Sequence, residues 1–148
     1  MSLYIINKSI HKTYEWLYDI ADNCGWEDLT KPLACLRAVL HQLRDNLPLN
    51  ESAHLSAQLP LFIKGIYFEN WNPNITPLKE RTEESFITSI GENLKKHPEI
   101  EVEEAIRGVF STLVHKLPEE EIIKLCNILP RGVRSFLEEA CDNIYNIE

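Results

Sequence analysis

The chain has 148 residues, enough for one domain with a substantial hydrophobic core. Its composition, 44% hydrophobic and 26% charged, is typical of a soluble globular protein and not of a disordered one. The formal net charge of −8 argues against general nucleic-acid binding, which needs a basic surface. No stretch approaches the roughly 20 apolar residues that span a bilayer, so we expect no contact with a membrane.

The four cysteines are Cys24, Cys35, Cys126 and Cys141. They form no CxxC pair, and no signal-peptide pattern precedes them. We therefore expect a cytoplasmic protein with reduced thiols, in which these residues serve as small hydrophobic side chains.

The first half of the chain predicts four helices. Apolar residues at Leu3, Ile6, Ile10, Thr13, Leu17 and Ile20 keep one helical spacing, so the first helix begins near Ser2 and ends before Gly25. Pro32 lies in the first turn of a second helix, which Pro48 ends. Asn50 is a suitable N-cap for a short third helix, and Pro60 opens a fourth.

The second half of the chain resembles the first at an offset of 70 residues. Residues 34–60 and 104–130 share nine identities in 27 positions without a gap, where chance gives about two. The identical pairs include Arg37/Arg107, Val39/Val109, Leu43/Leu113, Pro48/Pro118 and Pro60/Pro130. This pattern indicates two copies of one helical unit.

The predicted fold is all-α, with two tandem four-helix units packed into one compact helical bundle. We assign residues 1–69 to the first unit, with an N-terminal helix extension, residues 70–81 to a linker and residues 82–148 to the second unit. Acidic runs at residues 83–84, 99–104 and 119–121 lie where second-unit helices should begin, because carboxylates favour helix N-termini. Trp71 and Ile75 should pin the linker to the core.

The offset also sorts the polar residues. Arg37 and Arg107 are kept in both halves at the edge of the apolar face, where we expect inter-helix ion pairs. Five polar residues of the first half are replaced by a different residue in the second half: His41, Arg44, Asp45, His54 and Gln58. We expect each to be ordinary surface unless it serves a function of the first half. Together with the aromatic pair Tyr67 and Trp71, these five residues form the candidate binding surface.

Searches for catalytic chemistry find little. There is no HExxH, GxSxG, P-loop or GxGxxG motif. His41 and His54 lie on different predicted helices, so no metal site is predicted, and no cofactor is implied. A pairing of Cys35 with one of the five histidines is too unspecific to indicate an enzyme.

Two stretches of the first half carry a family resemblance: AVLHQLRDNLP at 38–48 and HLSAQLPLFIKGIYFENWNP at 54–73. They resemble the signature of the bacterial family called domain of unknown function 2267, including its glycine-x-tyrosine-x-x-x-tryptophan stretch at Gly65, Tyr67 and Trp71. FITSIGENL at 86–94 and AIRGVF at 105–110 are similar to its second repeat. The resemblance implies a soluble, cytoplasmic, all-helical bacterial protein and no defined activity or catalytic residues. Residues before His11 lie outside the shared pattern.

Two functions therefore stay open. The favoured hypothesis is a non-catalytic helical module that binds another protein or itself as a homodimer. The alternative is a small-molecule or anion-binding protein, with or without enzymatic activity, whose pocket lies between the halves near Arg37, His41 and Arg44. Nucleic-acid binding is disfavoured by the net charge.

Overall fold

Helices make up nearly all of the regular structure in the computed structural model, which describes residues 3–145. The elements are α1 (Tyr4–Cys24), α2 (Thr30–Asp45), α3 (Leu49–Ser56), α4 (Leu61–Tyr67), a short 3-10 turn (Pro73–Ile75), α5 (Glu83–Asn93), α6 (Val102–Lys116), α7 (Glu119–Ile128) and α8 (Arg131–Tyr145). No β-strand occurs within this part of the chain. The prediction of an all-α fold is confirmed.

The two central helices are α2 and α6. They pack against each other, and every other α-helix except α3 packs extensively against at least one of them. Their inner faces are almost fully buried, with Leu36, Val39 and Leu43 on α2 and Val109 and Leu113 on α6. One continuous apolar core therefore runs through both predicted units.

The helix contacts come in corresponding pairs. The contact of α1 with α6 corresponds to that of α5 with α2, and the contact of α2 with α4 to that of α6 with α8. On α3 and α7, His54 Nε2 lies 3.1 Å from Lys124 Nζ, and these two residues are 70 positions apart. The internal repeat itself, and the unit boundaries based on it, stay predictions.

Prolines begin helices as well as ending them. Pro48, Pro60 and Pro118 occupy the N-cap positions of α3, α4 and α7, with φ between −56° and −59° and ψ between 145° and 151°. These φ values are the ones the pyrrolidine ring imposes, and the carbonyls of Pro48 and Pro60 accept the first helical hydrogen bonds. The expectation that Asn50 caps α3 is therefore wrong, because Pro48 holds that position.

The ends of α1 and the linker after residue 69 differ in how well they follow the sequence-based predictions. Gly25 ends α1 in the left-handed conformation, at φ 73°, as the sequence predicts. The described helix α1 begins at Tyr4, and the predicted start at Ser2 lies outside the described residues. Ile75 does not anchor the linker, because it is 56% exposed; instead, the Leu78 N–H donates to the Asp45 carbonyl at 2.8 Å.

A close approach of α8 to α5 depends on Gly132. A Cβ atom at this position would lie 2.6 Å from the Glu83 Cβ and 2.9 Å from the Glu83 backbone nitrogen. At Gly65, on the exposed side of α4, a Cβ would meet no atom within 4 Å. Alanine at Gly65 would therefore change only the helix propensity, whereas alanine at Gly132 would also clash with Glu83.

We expect Gly132→Ala to destabilise the protein by about 1–3 kcal/mol, because α5 and α8 must move apart. Gly65→Ala should stabilise it by about 0.5–1 kcal/mol, since alanine is the better helix former. Urea unfolding of both variants checks this pair. A Gly132→Ala protein at least as stable as the wild type would contradict the close packing of α5 and α8.

Candidate functional site

Arg44 is a buried residue that joins α2 to the end of α4. Its side chain is 5% exposed, and its Nε and Nη2 donate to the two carboxylate oxygens of Asp45 at 2.8 and 3.2 Å. Its Nη1 donates to the carbonyls of Tyr67 and Glu69, both at 2.8 Å. Arg44 therefore satisfies carbonyls at the C-terminal end of α4, and the expectation that it is ordinary surface is wrong.

Tyr67 and Ser52 extend this polar network into α3. Tyr67 is fully buried, and its hydroxyl donates to the Ser52 carbonyl at 2.9 Å. The Ser52 hydroxyl in turn donates to the Arg44 carbonyl at 2.6 Å. Burial raises the pKa of Tyr67, so the phenol stays protonated and keeps its role as a donor. Arg44, Asp45 and Tyr67 thus form a structural network that holds α2, α3 and α4 together.

Arg37 and Arg107 make the same ion pair 70 positions apart. Arg37 Nε donates to Glu69 Oε1 at 2.7 Å, and Arg107 Nε donates to Glu139 Oε2 at 3.3 Å. Arg107 makes a second bond, from Nη2 to Glu103 Oε2 at 3.4 Å. Both arginines are half exposed, so each pair contributes little to stability.

His41 lies one turn after Arg37 on α2 and faces the carboxylate of Glu69. Its Nε2 lies 2.6 Å from the Ile66 carbonyl and 3.6 Å from Glu69 Oε1. A carbonyl can only accept, so Nε2 carries the proton. Burial lowers the pKa of His41 and the Arg44 charge lowers it further, against the Ile66 hydrogen bond and Glu69, which raise it.

A cavity of about 470 Å³ opens beside Arg37 and His41, between α2, the end of α4 and the end of α5. Its floor contains Ala34 and Ala38, whose small side chains leave the space open. Its remaining walls are largely charged or polar: Arg37, His41, Glu69, Asn70, Glu92, Asn93, Lys95, Lys96 and His97. We call this space the basic cavity.

The other candidate residues lie apart from the basic cavity. His54, on α3, faces α7, where its Nε2 lies 3.3 Å from Glu121 Oε2. Gln58 lines a separate, smaller depression with Trp16 and Lys116. Trp71 is half-buried and packs against Phe68, with ring centroids 5.1 Å apart. The structure thus divides the candidate surface among the Arg44 network, the basic cavity and three other places.

The thiols are free and, where a shift is resolved, hard to ionise. Burial raises the pKa of Cys35 to about 12 and the pKa of Cys24 to about 11. A nucleophilic cysteine needs a lowered pKa, so the pairing of Cys35 with a histidine gains no support. Among residues 3–145, no three Cys, His, Asp or Glu side chains are grouped so that they could hold a metal ion.

Exposed apolar side chains concentrate at the start of α1, from its N-cap residue Leu3 onward. Leu3, Ile6 and Ile10 are 60%, 51% and 48% exposed, although Thr13, Leu17 and Ile20 on the same helix face are buried. Phe62, also exposed, lies beside them, because its N–H donates to Ser9 Oγ at 3.0 Å. We call Leu3, Ile6 and Ile10 the exposed seam. It adjoins an apolar groove lined by Leu17, Leu29, Leu33 and Phe62, among others.

Sequence reasoning missed the lysines of the basic cavity. Lys95, Lys96 and His97 stand together after α5, where the residues 70 positions earlier are Gly25, Trp26 and Glu27. Comparing the two halves beyond residues 34–60 would have identified this basic run. The exposure of the seam carries no sequence signal, since its apolar spacing is the same as that of the buried turns.

These features define an all-helical protein with one core, a structural polar network and a charged cavity between its halves. The chain belongs to the family described as uncharacterized conserved protein (DUF2267), whose model matches residues 13–136. Comparison with curated proteins gives no match. Within residues 3–145, no helix is long and apolar enough to cross a membrane. The first helix turns, up to Lys12, lie outside the family match.

The Arg44 network predicts unequal costs for two similar substitutions. Arg44→Met leaves Asp45 without its partner and the Tyr67 and Glu69 carbonyls without a donor, so we expect a loss of about 3 kcal/mol in the free energy of unfolding. Arg37→Met, at a half-exposed position, should cost less than about 1 kcal/mol. Equal losses in a denaturation series would contradict the structural role of Arg44.

His41 predicts a pH dependence with a defined sign. Because burial lowers the pKa of His41 in the folded state below the ordinary 6.5, folding favours the neutral ring. This contribution to stability is present above pH 6.5 and is lost as the pH falls through the folded-state value. NMR titration of the His41 ring protons should give a midpoint below 6.5, and a midpoint above it would contradict the buried, Nε2-protonated ring.

Proposed function

We propose that this protein is a non-catalytic module that associates with a second copy of itself through the exposed seam of α1. The observation that carries the proposal is the continuity of one apolar face. Leu3, Ile6, Ile10, Thr13, Leu17 and Ile20 follow the alternating three- and four-residue spacing of a coiled-coil seam. The second half of this face is buried in the core, and the first half is exposed.

The residues that flank the exposed seam suit contact with an identical helix. In the heptad numbering that places the seam at a and d, the flanking positions hold Asn7, Ser9 and Tyr14, none of which is charged. Lys8, His11 and Lys12 fall on the outward positions. Two copies can therefore bring their seams together without placing like charges opposite each other.

A twofold arrangement makes the contact self-complementary. If the two α1 helices pair antiparallel about an axis beside Ile6, the Leu3 end of one helix covers the Ile10 end of the other. Such an isologous contact closes on itself and gives a dimer, not a chain of copies. The apolar groove beside the seam, with Leu29, Leu33 and Phe62, offers further surface to bury.

A charge-swap experiment tests this contact. We expect the wild type to form a dimer by light scattering coupled to size exclusion, over a range of concentrations. Ile6→Glu and Ile6→Lys should each be monomeric, since both place two like charges together at the axis, and mixing the two variants should restore a dimer. Folding of each variant is checked by circular dichroism.

Ile123→Glu is the matched control, because Ile123 is also an exposed isoleucine but lies on α7. It should remain dimeric. A wild-type protein that is monomeric at every concentration would contradict the proposal. So would a mixture of the two Ile6 variants that stays monomeric, since it would show that the seam does not contact itself.

A further inference from the structure

We propose that the basic cavity binds a small molecule carrying two neighbouring anionic groups, such as a diphosphate or a polycarboxylate. This function is independent of self-association, because the cavity lies at the ends of α4 and α5, away from the exposed seam. A second cavity in the same chain has the corresponding residues but a different charge.

The second cavity, of about 200 Å³, lies between α1 and α6. We call it the counterpart cavity. Five of the six residues lining it correspond to residues of the basic cavity at the offset of 70. The pairs are Asn23 with Asn93, Glu104 with Ala34, Arg107 with Arg37, Gly108 with Ala38 and Ser111 with His41. The two cavities thus allow a comparison of the same position in the fold.

The arginine of the basic cavity has fewer carboxylates around it than the arginine of the counterpart cavity. In the counterpart cavity Arg107 is held by Glu139 through Nε and by Glu103 through Nη2, and Glu104 lines the wall. The positions corresponding to Glu103 and Glu104 are Leu33 and Ala34. Arg37 donates through Nε to Glu69, and neither of its Nη groups makes a hydrogen bond within the described part of the chain. Those groups are free to donate to an anion.

The basic cavity also has cations that have no equivalent in the first half of the chain. Lys95, Lys96 and His97 line the basic cavity, where the corresponding residues after α1 are Gly25, Trp26 and Glu27. Lys95 and Lys96 make no ion pair within the described part of the chain. The chain has 15 Lys and Arg against 23 Asp and Glu, so a wall with three Lys or Arg and two Glu reverses the overall balance. Its charge attracts anions locally.

Size and polarity set the class of ligand. A volume of about 470 Å³ lies within the range of small-molecule sites. Arg37 lines the cavity from α2 and Lys95 and Lys96 line it from the segment after α5, so one anionic group can contact the arginine while a second contacts the lysines. Half-buried His41 has its Nε2–H committed to Ile66, which leaves Nδ1 as an acceptor for a ligand hydroxyl.

The test uses isothermal titration calorimetry of the full chain with two probes, inorganic pyrophosphate and citrate, at low salt. Pyrophosphate binding would identify phosphates as the ligand class, and citrate binding would identify polycarboxylates. We expect Lys95→Gln/Lys96→Gln and Arg37→Gln each to weaken binding at least about tenfold, since each removes charge-assisted hydrogen bonds.

Each of the two binding variants has a control with the same change in net charge. Arg107→Gln alters the corresponding arginine of the counterpart cavity, and Lys79→Gln/Lys116→Gln removes two lysines elsewhere; both should bind as the wild type does. Equal weakening by the two double-lysine variants would overturn the proposal, because net charge and not the cavity would then govern binding. Absence of binding by both probes would also overturn it.

Discussion

The guanidinium of Arg44 is the contact on which the arrangement of α2, the end of α4 and the start of the linker depends. It joins the end of α2 to the carbonyls that end α4, and its Asp45 partner receives the linker through Leu78. Glu69, whose carbonyl it binds, is thereby positioned to pair with Arg37. A buried arginine is costly unless every donor is used, and here most of its donors have partners. Arg44 therefore fixes the position of Glu69, one residue in the wall of the basic cavity.

One face of α1 is exposed to water along its first half and buried in the core along its second half. Along α1 the apolar spacing is uniform, yet the residues of this face are buried only from Thr13 onward. The coiled-coil spacing of α1 continues beyond the edge of the core. The helix therefore exposes apolar surface to water, which is unfavourable. Self-association is the proposal that removes this area from water with the residues at hand. The family match begins at the residue where the burial begins, Thr13.

Much of the fold could be predicted from the sequence, because periodicity and proline placement act locally. The spacing on α1, the left-handed Gly25 and the helix starts after Pro60 and Pro118 are all decided by neighbouring residues. The burial of Arg44 could not be predicted, since a helical wheel gives its angle and not the chain end that covers it. The exposure of Ile75 and the convergence of Arg37 with Lys95 depend likewise on segments distant in sequence.

Hydrogen–deuterium exchange of the full chain at low and high protein concentration shows directly whether the exposed seam of α1 is a self-association surface. We predict that amides in the first half of α1, from Asn7 to Lys12, exchange more slowly at high concentration. Amides of α7 should exchange at the same rate at both concentrations, since that helix stays uncovered. If the exchange of the α1 amides does not change with concentration, the seam does not bind a second copy.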